Sequence, residues 1–160
     1  MKIKTQNIYL ILIGVFMLNL ISCQKESSDV TEEVWTTVEK RMTTWKERDK
    51  NGQLKIYHPN FRRWKNDTLQ TKETFIGDWT FTDMQINDIQ IEKREIQFFT
   101  EANLSVAHYK VKETLEWIGD DFQEDDFKRD NGQVWTEDYL VSDYYIKEGE
   151  RWLYIGGVVK

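Results

Sequence analysis

The sequence predicts an α+β fold in which three N-terminal helices pack in a strongly bent antiparallel sheet, forming a cone-shaped α+β barrel. Two observations lead to this fold class. Apolar residues recur at helical spacing in the first half of the chain, and from Ile86 onward they alternate with polar residues as strands require. Helices and strands are therefore segregated along the chain, which is typical of α+β proteins.

The composition sets limits on the class of protein. The chain has 160 residues, of which 39% are hydrophobic and 31% charged, and it contains 7 Trp, 7 Tyr and 8 Phe. So many large rings exclude a disordered chain. The net charge of -6 argues against a nucleic-acid partner. A single cysteine allows no internal disulfide.

The N-terminus has the pattern of a secretory signal. Lys2 and Lys4 precede an apolar run over residues 8–18 that extends to Ile21. A transmembrane helix needs roughly 20 apolar residues, so this run is short for a permanent span. We expect residues 1–22 to be a signal peptide, and the alternative is an uncleaved N-terminal anchor helix.

The end of that run, Leu20-Ile21-Ser22-Cys23, resembles the lipobox of bacterial lipoproteins. The resemblance implies a diacylglyceryl group on Cys23, cleavage just before it, and acylation of the new amine. Residues 23–28 would then be a lipidated tether, and the lipid on Cys23 would make the membrane a partner. Gln24-Lys25-Glu26 also resembles the tags that send some lipoproteins to the cell surface. The expected location is therefore the cell envelope, with the protein anchored to the outer membrane; exposure on the cell surface is what the resemblance of the tag implies.

Residues 29–160 are predicted to form one domain. Val34, Val38 and Met42 have the spacing of a buried helix face, and this helix should end near Gly52, where glycine can take a positive φ. A short second helix should stop before Pro59. A third should follow Thr71 as its cap, with an apolar face that includes Trp79.

Four long strands in a meander should complete this domain, after a brief strand over residues 61–64. In the first long strand, Ile89 and Ile91 share one parity whereas Ile96 and Phe98 share the other, which predicts a bulge near Lys93-Arg94. The second strand has one apolar face, and alternation places His108 on the opposite face. Residues 119–132 should form an acidic loop.

Four segments carry a resemblance to the nuclear-transport-factor-2-like (NTF2-like) superfamily, which includes SnoaL-like cyclases, ketosteroid isomerases and scytalone dehydratase. They are Trp45-Lys46-Glu47-Arg48-Asp49, Ile56-Tyr57-His58-Pro59-Asn60-Phe61, the strand over residues 102–109, and Gly149-Glu150-Arg151-Trp152. The resemblance implies a cystatin-like cone fold and, as in many relatives, a homodimer.

The catalytic pattern of these relatives is not repeated. Ketosteroid isomerases place a general-base Asp on the strand that follows the short helix, where this chain has Phe61-Arg62-Arg63-Trp64-Lys65. Arginine and indole cannot replace that base. His58 could act as a base with a pocket carboxylate, but no fixed spacing identifies one, so we expect His58 to have no carboxylate partner and to bond within the helix end. Arg62, Arg63 and Lys65 could meet the carboxylate of a ligand, or form a solvated strand edge.

Aromatic residues are the best candidates for a ligand site. We expect Trp45, Tyr57, His58, Trp64, Trp79 and Trp135 to line a pocket for a small apolar or aromatic ligand. The alternative is that these rings simply fill the cone. We predict no catalytic residue and no cofactor, because the sequence has no Ser-His-Asp constellation that spacing can fix and no phosphate loop. We also predict no metal, because there is no zinc spacing and Lys128 stands at a ligand position of the calcium-like spacing in the acidic loop.

The sequence thus favours a membrane-anchored lipoprotein whose domain binds a small ligand or another protein. The alternative is a cyclase, dehydratase or isomerase that uses His58 and a pocket carboxylate.

Overall fold

A computed structural model describes residues 28–65, 67–77, 83–124 and 127–160. The chain divides into two compact units, Met1–Glu33 and Val34–Lys160. Residues 28–33 of the first unit are helical. The second unit contains every strand that the structure describes. Along the described residues, no helix combines the length and apolar character needed to cross a membrane. The predicted signal (1–22) and Cys23 lie outside these residues.

Helix α1 covers residues 28–46, and the predicted apolar face is buried: Val34 and Val38 are fully buried and Met42 nearly so. Its predicted end is wrong. The helix stops at residue 46, and Arg48 takes the positive φ, 55°, that was expected of Gly52.

Gly52 lies instead inside α2, Lys50–Ile56, where a side chain would collide with Asp49 and Thr44. Glycine is therefore required by a close approach. Asp49 caps α2, because its Oδ1 accepts the Gly52 N–H at 2.9 Å. Helix α3 is Lys72–Gly77, and Thr71 Oγ1 accepts the N–H of Thr74 at 3.4 Å at its start, as predicted.

The described residues contain eight strands, in chain order β1 Arg62–Lys65, β2 Thr68–Thr71, β3 Met84–Phe99, β4 Leu104–Trp117, β5 Phe122–Glu124, β6 Phe127–Arg129, β7 Val134–Glu148 and β8 Arg151–Val159. The four long strands form one antiparallel sheet in the order β3-β4-β7-β8, so the predicted meander is confirmed. Two small ribbons, β1-β2 and β5-β6, form separate two-stranded sheets. The second ribbon lies within the segment predicted as an acidic loop.

The predicted bulge in β3 is confirmed. Lys93 pairs with Tyr109 and Glu95 with His108, which leaves Arg94 without a partner in the ladder. Two further register shifts occur between Ile86 and Asp88 and between Tyr144 and Tyr145. Bulges bend a strand and increase its twist, so these three positions account for the strong curvature of the sheet.

The concave side of the sheet carries the core. Tyr109, Val111 and Leu115 of β4 and Tyr145 of β7 are buried. A cluster of rings closes one end of the core, where the Tyr57 centroid lies 4.9 Å from that of Phe61 and 4.8 Å from that of Tyr154. Such edge contacts between rings add to the free energy gained from burying them.

Candidate functional site

The concave side is not completely filled. It leaves a cavity of about 410 Å³. Within the part of the chain that the structure describes, six aromatic residues line it: Trp45, Tyr57, Phe61, Phe75, Tyr139 and Tyr154. Five charged residues of the same part also line it: Arg41, Arg62, Arg63, Glu113 and Asp143. The cavity is therefore ring-lined, as predicted, but more polar than the sequence suggested.

The predicted ligand residues divide into three groups. Trp45 and Tyr57 line the cavity. His58 and Trp135 do not, since the Trp135 Nε1 donates to Glu137 and the Arg129 guanidinium lies 4.4 Å from the Trp135 ring centroid. Trp79 and the side chain of Trp64 lie outside the described part of the chain. Ligand binding by all six residues stays a prediction.

His58 is buried and held by three bonds. Its backbone N–H donates to the Tyr154 carbonyl at 2.8 Å, and its Nδ1 accepts the Asn60 N–H at 3.0 Å. Its Nε2 lies 2.9 Å from Glu148 Oε1. The expectation of a His58 without a carboxylate partner is therefore wrong.

Glu148, however, does not complete a cavity dyad. Its side chain is 53% exposed, and neither Glu148 nor His58 lines the cavity. Because Nδ1 accepts a backbone N–H, the neutral imidazole carries its proton on Nε2 and donates it to Glu148. The pair connects the segment that follows α2 to the end of β7, so its geometry fits a structural role. His108 likewise bonds to Ser142 Oγ at 2.9 Å and is absent from the cavity wall, as predicted.

Glu113 of β4 is one of two carboxylates that line the cavity, and it was not among the site residues predicted from the sequence. Glu113 is 6% exposed, and its Oε1 has no hydrogen-bond partner among the described residues. Burial raises the pKa of Glu113, whereas hydrogen bonds from Tyr139 and Trp45 act in the opposite direction. Strand alternation was the available signal, because residue 113 has the same parity as the inward-facing Val111 and Leu115.

A second buried acid, Asp143 of β7, is fully engaged. Its Oδ2 accepts hydrogen bonds from Arg41 and from the Tyr109 hydroxyl, and the Tyr145 hydroxyl lies 3.3 Å from the same oxygen. Arg41 also donates to the Tyr109 hydroxyl at 2.7 Å. Burial alone would lower the pKa of Arg41, but the nearby Asp143 carboxylate raises it, so the pair stays charged.

The backbone of β8 makes room for this pair. Gly157 faces Asp143 across the ladder, and a Cβ at position 157 would collide with the Asp143 carboxylate and crowd the Tyr154 hydroxyl at 3.0 Å. The Arg41 guanidinium also lies 4.5 Å from the Tyr154 ring centroid. These residues therefore form a hydrogen-bonded cluster in the wall of the cavity.

Two arginines of the predicted basic cluster reach the cavity. Arg62 Nη1 donates to the carbonyls of Phe61 at 2.7 Å and Pro59 at 3.2 Å. Arg63 is exposed, and its guanidinium lies 5.0 Å from the Phe75 ring centroid. Within the described residues, no carboxylate pairs with Arg63. The side chain of Lys65 lies outside them.

No model of a sequence family matches this chain, and no curated protein matches it in sequence. Solved structures do. A ketosteroid isomerase-like protein from Erwinia carotovora atroseptica superposes with a TM-score of 0.62 at 12% identity, over 80% of this chain and 92% of that one. An NTF2-like protein from Cytophaga hutchinsonii gives 0.59 at 13% identity, over 81% and 96%. An NTF2-like superfamily protein from Salmonella enterica gives 0.60 at 12% identity, over 84% and 92%.

At these identities the likeness concerns the fold and not the activity, because such folds host many unrelated functions. The helices precede a curved four-stranded meander in the way that the sequence resemblance implied. The chain therefore has the NTF2-like cone fold.

Proposed function

We propose that this protein is a lipid-anchored protein of the bacterial cell envelope whose cone cavity binds a small ring-containing molecule. The observation that carries the proposal is the cavity. Ligand pockets generally measure about 300–1,000 Å³ and combine apolar walls with a few polar groups. A cavity of about 410 Å³ with six rings and a buried carboxyl group meets both conditions.

The anchoring part of the proposal rests on the Leu20-Ile21-Ser22-Cys23 motif. Each buried methylene of an acyl chain adds about 0.8 kcal/mol, and two lipid signals already hold a protein stably on a bilayer. The full sequence has a net charge of -6, and loss of the predicted signal with Lys2 and Lys4 would change it to -8, so the domain gains nothing from anionic headgroups. The lipid on Cys23 would therefore do the anchoring.

Native mass spectrometry of the purified full-length protein, followed by solvent extraction, tests the binding part. We expect a small molecule to be released from the wild type. Val141→Phe should abolish its retention, because Val141 is buried and lines the cavity. Leu140→Phe is the matched control, since Leu140 is the neighbouring residue of β7, is exposed and does not line the cavity. Equal ligand content in both variants would contradict binding in the cone.

A second candidate function is proton-transfer catalysis in the same cavity. Glu113 favours it, because a buried carboxyl group with a raised pKa and an open oxygen has the properties of a general base. His58, the base proposed from sequence, is bonded to Glu148 instead. Screening enolisable ketones and hydroxy-ketones tests this candidate: turnover that Glu113→Gln lowers about 10²–10⁴-fold and His58→Ala leaves intact would support an enzyme.

A further inference from the structure

Among the described residues, two that line the cavity have a buried side-chain atom without a hydrogen-bond partner, Oε1 of Glu113 and Nε of Arg41. Glu113 is more than nine-tenths buried, and its Oε1 has no partner among the described residues. A buried oxygen left without a hydrogen bond costs about 1–3 kcal/mol, so a ligand that satisfies it gains affinity. A hydroxyl group suits this oxygen best, because it can donate to a carboxylate or accept from a carboxylic acid.

The exposed part of the cavity wall carries a positive charge, opposite in sign to that of a Glu113 carboxylate. Arg63 is exposed, lines the cavity and acts electrostatically on the hydroxyls of Tyr57 and Tyr154, which also line it. Its guanidinium rests against Phe75 and has no carboxylate partner in the described chain. Arginine binds carboxylates through two parallel hydrogen bonds, so Arg63 is free to hold an acidic group.

The buried arginine is less suited than Arg63 to hold that acidic group. The Nε of Arg41 has no partner among the described residues, but its Nη2 already donates to Asp143 and Tyr109, and its charge is balanced by the Asp143 carboxylate. A second anion beside Asp143 would be repelled at short range in a poorly solvated site. The acidic end of a ligand is thus directed to the exposed Arg63, and the rings that line the same cavity offer apolar contacts to the rest of the ligand.

Building on the proposed function, we propose that the cone cavity binds a ring-containing carboxylic acid that carries a hydroxyl group, with the hydroxyl at Glu113 and the carboxylate at Arg63. The ring would lie between Tyr57, Tyr139 and Tyr154. Hydroxyphenylpropionate is a suitable probe of this class. Phenylpropionate lacks its hydroxyl, and the alcohol tyrosol lacks its acid.

Calorimetric titration of the full-length protein with these three probes tests the proposal. Hydroxyphenylpropionate should bind about tenfold more tightly than either single-ended probe, the usual value of one hydrogen bond to a charged group. Glu113→Leu should remove the preference for the hydroxyl only, because leucine can neither donate nor accept a hydrogen bond, and Arg63→Gln the preference for the acid only. Glu116→Gln on the same strand and the exposed Arg94→Gln do not line the cavity and should change neither preference.

The outcomes separate this inference from the function on which it rests. If the probes bind, Val141→Phe blocks them, and neither cavity variant changes the preferences, then the ligand class is wrong and the cavity still binds. The same holds if the extracted molecule lacks either group. If no probe binds and no molecule is extracted, both proposals fail. Arg63 is exposed, so Arg63→Gln keeps the test decisive even if Glu113→Leu does not fold.

Discussion

Asp143 is the single residue whose loss should cost the fold most. Removing it leaves the buried Arg41 guanidinium without its counter-charge, and breaking a buried pair in this way costs about 3–5 kcal/mol. We therefore expect Asp143→Ala to lower the free energy of unfolding by about that amount. Urea unfolding of the variant against the wild type measures the change.

Asp138→Ala is the matched control on the same strand. Asp138 lies 3.4 Å from Lys110, and both side chains are partly exposed. Exposed pairs contribute about 0–1 kcal/mol, so this variant should unfold almost as the wild type does. Similar losses in the two variants would show that the buried Arg41–Asp143 pair contributes no more to the free energy of unfolding than an exposed pair does.

Cys23 carries the prediction about location. If the lipid on Cys23 anchors the protein, Cys23→Ser should move it from the membrane fraction to the soluble fraction, because no acyl chain can then be attached. Immunoblots of fractionated cells measure the distribution. Ser22→Ala is the control, since it keeps a small residue before the cut and should leave the protein in the membrane. Retention of the processed Cys23→Ser protein in the membrane would contradict lipid anchoring.

At the level of single residues, the sequence predicted the aromatic character of the site better than its charges. Trp45 and Tyr57 were found through their positions on the helices. Glu113 and Asp143 were not, because an acid on an inward-facing position is costly unless a partner offsets it. Those partners, Arg41 and Tyr139, lie far along the chain, and no local pattern links them. The pairing of His58 with Glu148 was missed for the same reason, because the two residues lie far apart along the chain.

Among the elements, the bulge in β3 is the feature that the sequence predicted most closely. Because Arg94 is unpaired in the ladder, odd-numbered residues before it and even-numbered residues after it can face the core. Deleting Arg94 should force one half of β3 to present its polar side to the core. We expect a loss of several kcal/mol, about 2–5 if two or more apolar side chains are displaced.

Arg94→Ala is the control, because it keeps the bulge and removes only an exposed side chain. It should change the stability by about 0.5 kcal/mol at most. Thermal unfolding of both variants provides the comparison. A deletion that is tolerated as well as the substitution would mean that the register of β3 is not fixed by this residue.

The elements that the sequence missed are short and polar. Strand β2 contains Thr, Leu and Gln in a run of four residues, too few to show a period of two. The end of α1 was misplaced for a related reason. Glycine commonly ends a helix. Gly52, however, lies inside α2, where the absence of a side chain lets Asp49 and Thr44 approach it closely, and Arg48 takes the positive φ at the turn. Both features depend on contacts between elements.

For the whole molecule, the order of helices and strands was enough to predict the cone, whereas the content of the cone was not. The alternation of apolar residues determines which side of each strand faces inward. Whether the inward rings fill the space or leave a cavity depends on how closely the helices approach the sheet. That distance is a property of packing, and the cavity of about 410 Å³ could be identified only in the structure.

Glu113 gives the whole molecule a pH-dependent stability. Burial raises the pKa of Glu113 above its ordinary value of 4.5, so the folded state holds this proton more tightly than the unfolded state does. This contribution to stability is complete below pH 4.5 and is lost as the pH rises through the pKa of the folded state. Glu113→Gln cannot lose a proton and should therefore gain stability relative to the wild type as the pH increases. Glu116→Gln, on the same strand outside the cavity, should follow the wild type. Melting temperatures of the three proteins from pH 4 to pH 8 measure this difference. Parallel curves for wild type and Glu113→Gln would show that burial does not raise the pKa of Glu113.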